Sequence, residues 1–349
     1  MDRRFDFVRT ATSRIVVGNG IEAQLAPAIA TLRPDGVVLV HDANLGELAT
    51  RLAAQLNART TLPIAGGESC KRLGIAGELA SAIGRCGTTR GTVLVALGGG
   101  TLTDLVGFTG AIYMRGLPTV FCPTTTLALC DAALGGKNGV DHDGQKNQLG
   151  TIQQPDLVFA DLAWLHSLPS EQFREGLVEV VKKTAVLDAA CFAQLEVLAP
   201  ALAARDVAAT LQAVEMAITL KMGVVLADER EAGLRATLNF GHTIGHALES
   251  LSGETIRHGS AVAMGLVAEC RAAGPVVPHE VTGRIAALLA RLGVSTTIPR
   301  PFADPAALWP FAQKDKKARG GRVPMVVPPA IGARATVELT ADALARALA

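Results

Sequence analysis

The texture of the chain changes once, near residue 165. Before that point short apolar, β-branched runs alternate with stretches of helical spacing. The runs are Ser13–Val17, Gly36–His41, Gly91–Leu97, Pro118–Cys122 and Leu157–Asp161. Helical spacing falls between them over Ile21–Leu32, Ala43–Leu56 and Leu73–Cys86. Strands separated by helix-length segments need crossovers, so residues 1–165 are expected to form an α/β domain around a parallel sheet. Beyond it, Glu171–Leu187, Cys191–Leu198, Asp206–Val225, Leu238–Leu251, Ser260–Ala273 and Glu280–Leu292 read as helices, and strand signals return only at Val323–Val327. Residues 166–349 are therefore expected to form a mostly α-helical C-terminal domain. A chain of 349 residues accommodates two such domains.

Composition narrows the class. Aromatic residues are only 4% of the chain, so Ala, Leu and Val must fill the core, as suits helices and buried parallel strands. The formal net charge is +1, with no basic block or acidic tail, which argues against a nucleic-acid partner. Six cysteines are scattered without a C-x-x-C pair, the usage of a reducing cytoplasm. No signal-peptide h-region follows the N-terminal Met-Asp-Arg-Arg-Phe-Asp, and no apolar run reads as a membrane span. A cytoplasmic location without a membrane partner is expected.

Chemistry concentrates in residues 235–246, Arg-Ala-Thr-Leu-Asn-Phe-Gly-His-Thr-Ile-Gly-His. His242 and His246 are four apart, so a helix puts both imidazoles on one face. His258 follows, in Arg-His-Gly. This is metal-ligand spacing, and it favours His246 as one ligand beside His242. Core or capping histidines are the alternative. Glu179 and Lys182, three apart on a helical run, share a face. Glu179 suits a metal's third ligand, although a surface ion pair has the same spacing.

Further constellations lie in the first half. Gly98-Gly99-Gly100 directly follows the Val93–Leu97 run, where backbone N–H groups can approach a phosphate closely. Asp104 is expected to start the next helix. Asp42, just past another strand, sits where an acidic residue meets a ribose hydroxyl or caps a helix. Pro123-Thr124-Thr125-Thr126 ends a third strand. The segments around Asp131, Lys137, Lys146 and Asn147 read as loops rich in Gly, Lys and Asn. Lys221, Arg235 and Asn239, with Asp315-Lys316-Lys317, add donors for a substrate bearing phosphate and carboxylate.

Together these segments resemble 3-dehydroquinate synthase and its sugar-phosphate cyclase relatives. The match runs in order from about residue 42 to 317 through Gly67-Glu68…Lys71, Gly98-Gly-Gly…Asp104, Met114-Arg115-Gly116, Pro123-Thr-Thr, Asp131…Gly-Gly-Lys137, Lys146-Asn147, Glu179-Val-Val-Lys182, Asp228 to His246, His258-Gly259 and Asp315-Lys316-Lys317. The resemblance implies a Rossmann-like NAD-binding domain and a helical metal-bearing one. It implies that Glu179, His242 and His258 hold a divalent metal, zinc or cobalt, and it moves His246 to the substrate phosphate. Asp42, Glu68, Lys71, Gly98, Gly99, Gly100, Asp104, Thr124, Thr125 and Lys146 would hold NAD. Asp131, Lys137, Asn147, Lys182, Lys221, Arg235, Asn239, His246 and Lys316 would line the substrate site. Arg115 would reach the substrate phosphate from the neighbouring subunit of a homodimer.

The implied reaction turns a heptulosonate 7-phosphate into 3-dehydroquinate and phosphate, with NAD regenerated in each turnover. The chain departs from the family pattern at Thr103, Val178 and Ser260 and in Lys137-Asn138-Gly-Val-Asp141. These departures admit an aminodehydroquinate synthase or a sedoheptulose-7-phosphate cyclase. A metal-dependent polyol dehydrogenase and a silent binding subunit are further alternatives, but the first needs no set of cations like Lys137, Lys182, Lys221 and Arg235, and the metal triad argues against the second.

Overall fold

The structure is a computed structural model and describes residues 12–143, 145–253, 255–314 and 320–348. The chain forms two compact units. One comprises Met1–Thr124 and Gly136–Asp161, the other Thr125–Gly135 and Leu162–Ala349.

The first unit is built on six strands, β1 (Arg14–Gly18), β2 (Gly36–Asp42), β3 (Thr60–Ile64), β4 (Thr92–Gly98), β5 (Thr119–Pro123) and β8 (Leu157–Asp161). They pair in the order β1-β8-β5-β4-β2-β3, all parallel. The central strand β4 is buried along its whole length, as expected for an unbroken apolar run covered on both faces. Helices α1 (Leu25–Ala30), α2 (Gly46–Leu56), α3 (Leu73–Arg85) and α4 (Gly100–Ile112) make the crossovers. Strand β3 is the one the run pattern misses. It lies at the sheet edge, is only half-buried and contains Pro63, which lacks the N–H of a central strand. The chain leaves β2 for β3 and returns to β4, so the topological switch lies between β2 and β4. Their carboxyl ends are neighbours, with His41 opposite Leu97.

Two expectations for this unit are corrected. The segments around Lys137 and Asn147, expected as loops, are the antiparallel hairpin β6 (Lys137–His142) and β7 (Gln145–Ile152). Asn138 is buried in it and donates to the Gly136 and Gln153 carbonyls, and a Cβ at Gly107 of α4 would collide with its side chain. Pairing and close packing thus override a turn-like composition. Asp104 does not start its helix, because α4 already begins at Gly100.

In the second unit the helices are α5 (Ser170–Leu187), α6 (Ala189–Ala203), α7 (Val207–Ala227), α8 (His242–Leu251), α9 (His258–Ala272), α10 (His279–Arg291), α11 (Pro305–Ala312) and α12 (Ala341–Leu348), beside the antiparallel pair β9 (Val323–Val327) and β10 (Ala335–Leu339). Nearly every side chain of α5 from Phe173 onward, and of α9, is buried. The 125–135 segment belongs here because its turn packs on α5, where a Cβ at Gly176 would overlap Thr126 and Leu127. Helix α7 is long and apolar enough to cross a membrane by length and composition, contrary to expectation, yet it carries a buried lysine, Lys221, ion-paired to Asp131. The helix expected over 238–251 is interrupted. A 3₁₀ segment covers Leu234–Asn239, Gly241 takes a left-handed φ of 80°, and α8 begins at His242.

Candidate active site

In the first unit Asp42, Gly98, Gly99, Gly100 and Thr124 lie at the carboxyl ends of β2, β4 and β5, where open α/β folds bind ligands. Gly98 ends β4, Gly99 precedes α4, and Gly100 opens it. The first intrahelical bond runs from Thr103 N–H to the Gly99 carbonyl at 3.1 Å. The amides of Gly100, Thr101 and Leu102 lie ahead of it, where helix amides have no intrahelical partner and suit an anion. Thr124 N–H donates to the Gly98 carbonyl at 2.9 Å, which brings the end of β5 alongside. Asp42 ends β2 and accepts the Asn44 amide at 2.9 Å, so its capping role is realised. A Cβ at Gly66 would collide with the Asp42 carboxylate, so the loop leading to Glu68 passes directly against it.

Lys71 is nearly buried. Its ammonium donates to Asp104 at 2.8 Å and to Asn147 at 2.5 Å and lies 3.7 Å from Glu68. Burial opposes the charge, but Asp104 and Glu68 outweigh it and hold the ammonium above its ordinary range. Asn147, expected among the substrate residues, thus touches Lys71, one of the NAD candidates. Thr125 receives the Ala128 amide at 3.2 Å, a local cap. Lys137 is exposed at the start of β6, and Lys146 lies on β7. Arg115 is exposed, with φ 67°.

In the second unit Glu179, Lys182 and Lys183 share one face of α5. Glu179 Oε2 lies 2.5 Å from Lys182 Nζ and 3.1 Å from Lys183 Nζ. Asp131, in a π-helical turn over Ala128–Ala132, lies 2.6 Å from Lys183 and 2.9 Å from Lys221 of α7. Burial pushes both carboxyls up, but the lysines outweigh it and hold them well below the usual range. Burial lowers Lys182, and it pushes Lys221 down to about 8. Lys183 moves upward, because Asp131 and Glu179 outweigh its burial. Sequence reasoning missed Lys183. Its (i, i+4) spacing from Glu179 was the only signal.

The other carboxylate oxygen, Glu179 Oε1, is buried without a hydrogen-bond partner. His242 Nε2 faces it at 3.6 Å and His258 Nε2 at 3.7 Å. Each histidine is fixed through its other nitrogen, His242 Nδ1 by the Phe240 carbonyl and His258 Nδ1 by Glu249, both at 3.2 Å. Two imidazoles held by Nδ1 and converging through Nε2 on an orphaned carboxylate oxygen fit a divalent cation. Burial and Lys182 hold His242 well below its ordinary range. Burial would also lower His258, but Glu179 and Glu249 raise it to about 10, so a bound cation must displace that proton. His246 is mostly exposed, and its Nε2 lies 4.0 Å from Glu249. His246, Glu249 and His258 form a second possible donor group.

Arg235 is buried, with its fork on the carbonyls of Glu229 at 2.5 Å and Gly135 at 2.8 Å. Asp228 anchors the loop ahead of it, accepting the amides of Ala232, Gly233 and Arg235. Asn239 donates to Glu231 at 3.2 Å. Lys316 lies outside the described residues. Ser260, a departure from the family pattern, donates to Glu175 of α5 at 2.8 Å and so ties the start of α9 to the helix bearing Glu179.

Known proteins resemble this chain in sequence and fold. The family models for the 3-dehydroquinate synthase N-terminal and C-terminal regions match residues 61–175 and 176–318. A 3-dehydroquinate synthase of Symbiobacterium thermophilum is 41% identical over 326 residues, covering 90% of each chain. One from Sulfurisphaera tokodaii is 37% identical over 335 residues, covering 95% of this chain and 94% of its own. Among solved structures, the 2-epi-5-epi-valiolone synthase ValA of Streptomyces hygroscopicus, with NAD+ and Zn2+ bound, superposes with a TM-score of 0.88 at 26% identity over 99% of this chain and 98% of its own. Fold and site together define an NAD- and metal-dependent enzyme of the cyclase type. The chain belongs to the 3-dehydroquinate synthase family.

Proposed function

We propose that this chain is a phosphate-eliminating cyclase that converts a heptulosonate 7-phosphate to 3-dehydroquinate and phosphate. The conversion comprises transient oxidation, elimination, reduction and intramolecular aldol closure. The convergence of His242 and His258 on Glu179 Oε1, in a chain 41% identical to a 3-dehydroquinate synthase, carries the reading.

Glu179, His242 and His258 would hold the divalent metal, and the β4–α4 turn with Asp42, Glu68, Lys71, Asp104, Thr124 and Lys146 would hold NAD. When bound, NAD supplies a reversible hydride acceptor and the metal polarises a substrate hydroxyl. The protein's own groups do the rest. Lys182, Lys183 and Lys221 face two carboxylates, Asp131 and Glu179, so this buried cluster keeps one excess positive charge for an anionic substrate. Arg235, Asn239 and His246 supply donors for its carboxylate and phosphate. Lys137, Asn147 and Lys316 join this list through the family pattern.

The same reading makes the enzyme a homodimer in which Arg115 reaches a partner's substrate phosphate. Exposed Ile112, Met114 and Ile152 accompany Arg115 in the first unit and suit such a contact. Six free cysteines suit a cytoplasmic location.

The test is to incubate the protein with the heptulosonate phosphate and a catalytic quantity of NAD. Phosphate should be released without build-up of absorbance at 340 nm. Stoichiometric NADH would support a dehydrogenase instead, and preference for sedoheptulose 7-phosphate a specialised cyclase.

A further inference from the structure

Glu269 is a wholly buried carboxylate on α9, three turns beyond His258, and it belongs to none of the groups discussed so far. Its Oε2 accepts the Gly241 amide at 2.7 Å, and its Oε1 accepts the Ile244 amide at 2.9 Å. These amides flank His242 at the N-terminus of α8. Such amides have no intrahelical partner, and a carboxylate facing them makes strong charge-assisted bonds. The same junction admits no added atoms. A Cβ at Gly265, one turn back along α9, would collide with the Gly241 carbonyl, and one at Gly245 would press on the Ala261 carbonyl at 3.1 Å. Gly241 holds its left-handed φ of 80° directly beneath Leu266.

We infer that Glu269 is a positioning residue for the metal centre, a brace that locks the start of α8 to α9 and so fixes His242 against His258. The inference rests on the reading of Glu179, His242 and His258 as metal ligands. The two imidazole centroids are 5.3 Å apart, on different helices. Ligand geometry must hold to about 0.5 Å for tight binding, and α8 starts at a broken helix with no side-chain cap of its own. The α9 carboxylate takes the place of that cap. Because it reaches α8 from the helix carrying His258, it fixes the helix end and the distance between the ligands together.

The experiment uses the full chain, stripped of metal, with Zn2+ affinity measured by competition against a chromophoric chelator and folding followed by circular dichroism. Glu269→Ala should keep its helix content and bind Zn2+ about 10–100-fold more weakly, the loss typical of groups that orient metal ligands. Glu269→Gln keeps one acceptor and turns an N–H toward the other amide, so about 10-fold is expected; it carries the test if the alanine variant does not fold. Leu52→Ala, in the buried face of α2, lowers stability elsewhere and should leave Zn2+ affinity unchanged. A folded Glu269→Gln with wild-type affinity overturns the inference. Full Zn2+ binding by His242→Ala would instead overturn the ligand assignment on which it rests.

Discussion

Glu249 holds His258 from behind. Its carboxylate lies 3.2 Å from Nδ1, while Nε2 of the same ring points toward Glu179 Oε1. The pair fixes both the tautomer and the direction of the lone pair that a cation would use. Glu249→Gln should weaken bound metal by about 10–100-fold. His242→Ala should lose metal and turnover with the fold intact. Elemental analysis and circular dichroism check both, and full metal content in either variant contradicts the assignment.

The turn after β4 should tolerate no side chain once NAD is present. Gly99 has φ −78° and ψ −176°, an ordinary extended conformation. Gly99→Val should therefore cost little stability while blocking the approach of the pyrophosphate. Calorimetry should show NAD affinity falling by more than about tenfold with a small change in Tm. Unchanged affinity would remove this turn from the cofactor site.

Lys221 should set an alkaline limit. Burial lowers it to about 8, from 10.5 in an unfolded chain. Below pH 8 its ammonium is present to face an anionic substrate, so kcat/KM should decline as pH rises through about 8. Lys221→Arg, whose charge persists, should move that decline upward. The contribution to stability has the opposite slope. Between pH 8 and 10.5 the unfolded chain holds the proton that the folded chain has lost, so this group favours folding increasingly as pH rises. A flat rate profile from pH 7 to 9 would exclude Lys221 from substrate binding.

Arg235 should resist even conservative exchange. Two of its five N–H groups are committed to the Glu229 and Gly135 carbonyls, and the rest of the fork can meet a substrate carboxylate. Arg235→Lys should lower kcat/KM about 10- to 100-fold, equivalent to roughly 1.5–3 kcal/mol, with NAD affinity unchanged. Equal turnover would mean that no carboxylate is read there.

What sequence could show follows from periodicity and from motif chemistry. Apolar runs located five of the six parallel strands, because buried strands must be continuously hydrophobic. Thr60–Ile64 escaped since an edge strand with Pro63 carries little of that signal. The 137–152 hairpin escaped because Gly, Lys and Asn dominate it, and only docking on α4 makes it a pair of strands. Helix spacing alone placed His246 beside His242 as a ligand. The break at Gly241 and the hold of Glu249 on His258 come from contacts between α8 and α9, which no local pattern records. Lys183, Glu249 and Glu269 went unnoticed for the same reason. A charged residue on an apolar helix looks alike in sequence whether it meets solvent or a buried partner.

The passage of residues 125–135 into the second unit has a consequence for how such a protein can be cut or recombined. The chain crosses between units at 124/125, 135/136 and 161/162. A gene divided at the most obvious joint, after Asp161, would strand Asp131 on the wrong fragment. The helical fragment would then bury Lys183 and Lys221 without the carboxylate that neutralises them. Expression of the helical part alone should therefore fail unless this short segment travels with the helices, although the remainder of that unit, Leu162–Ala349, is contiguous in sequence.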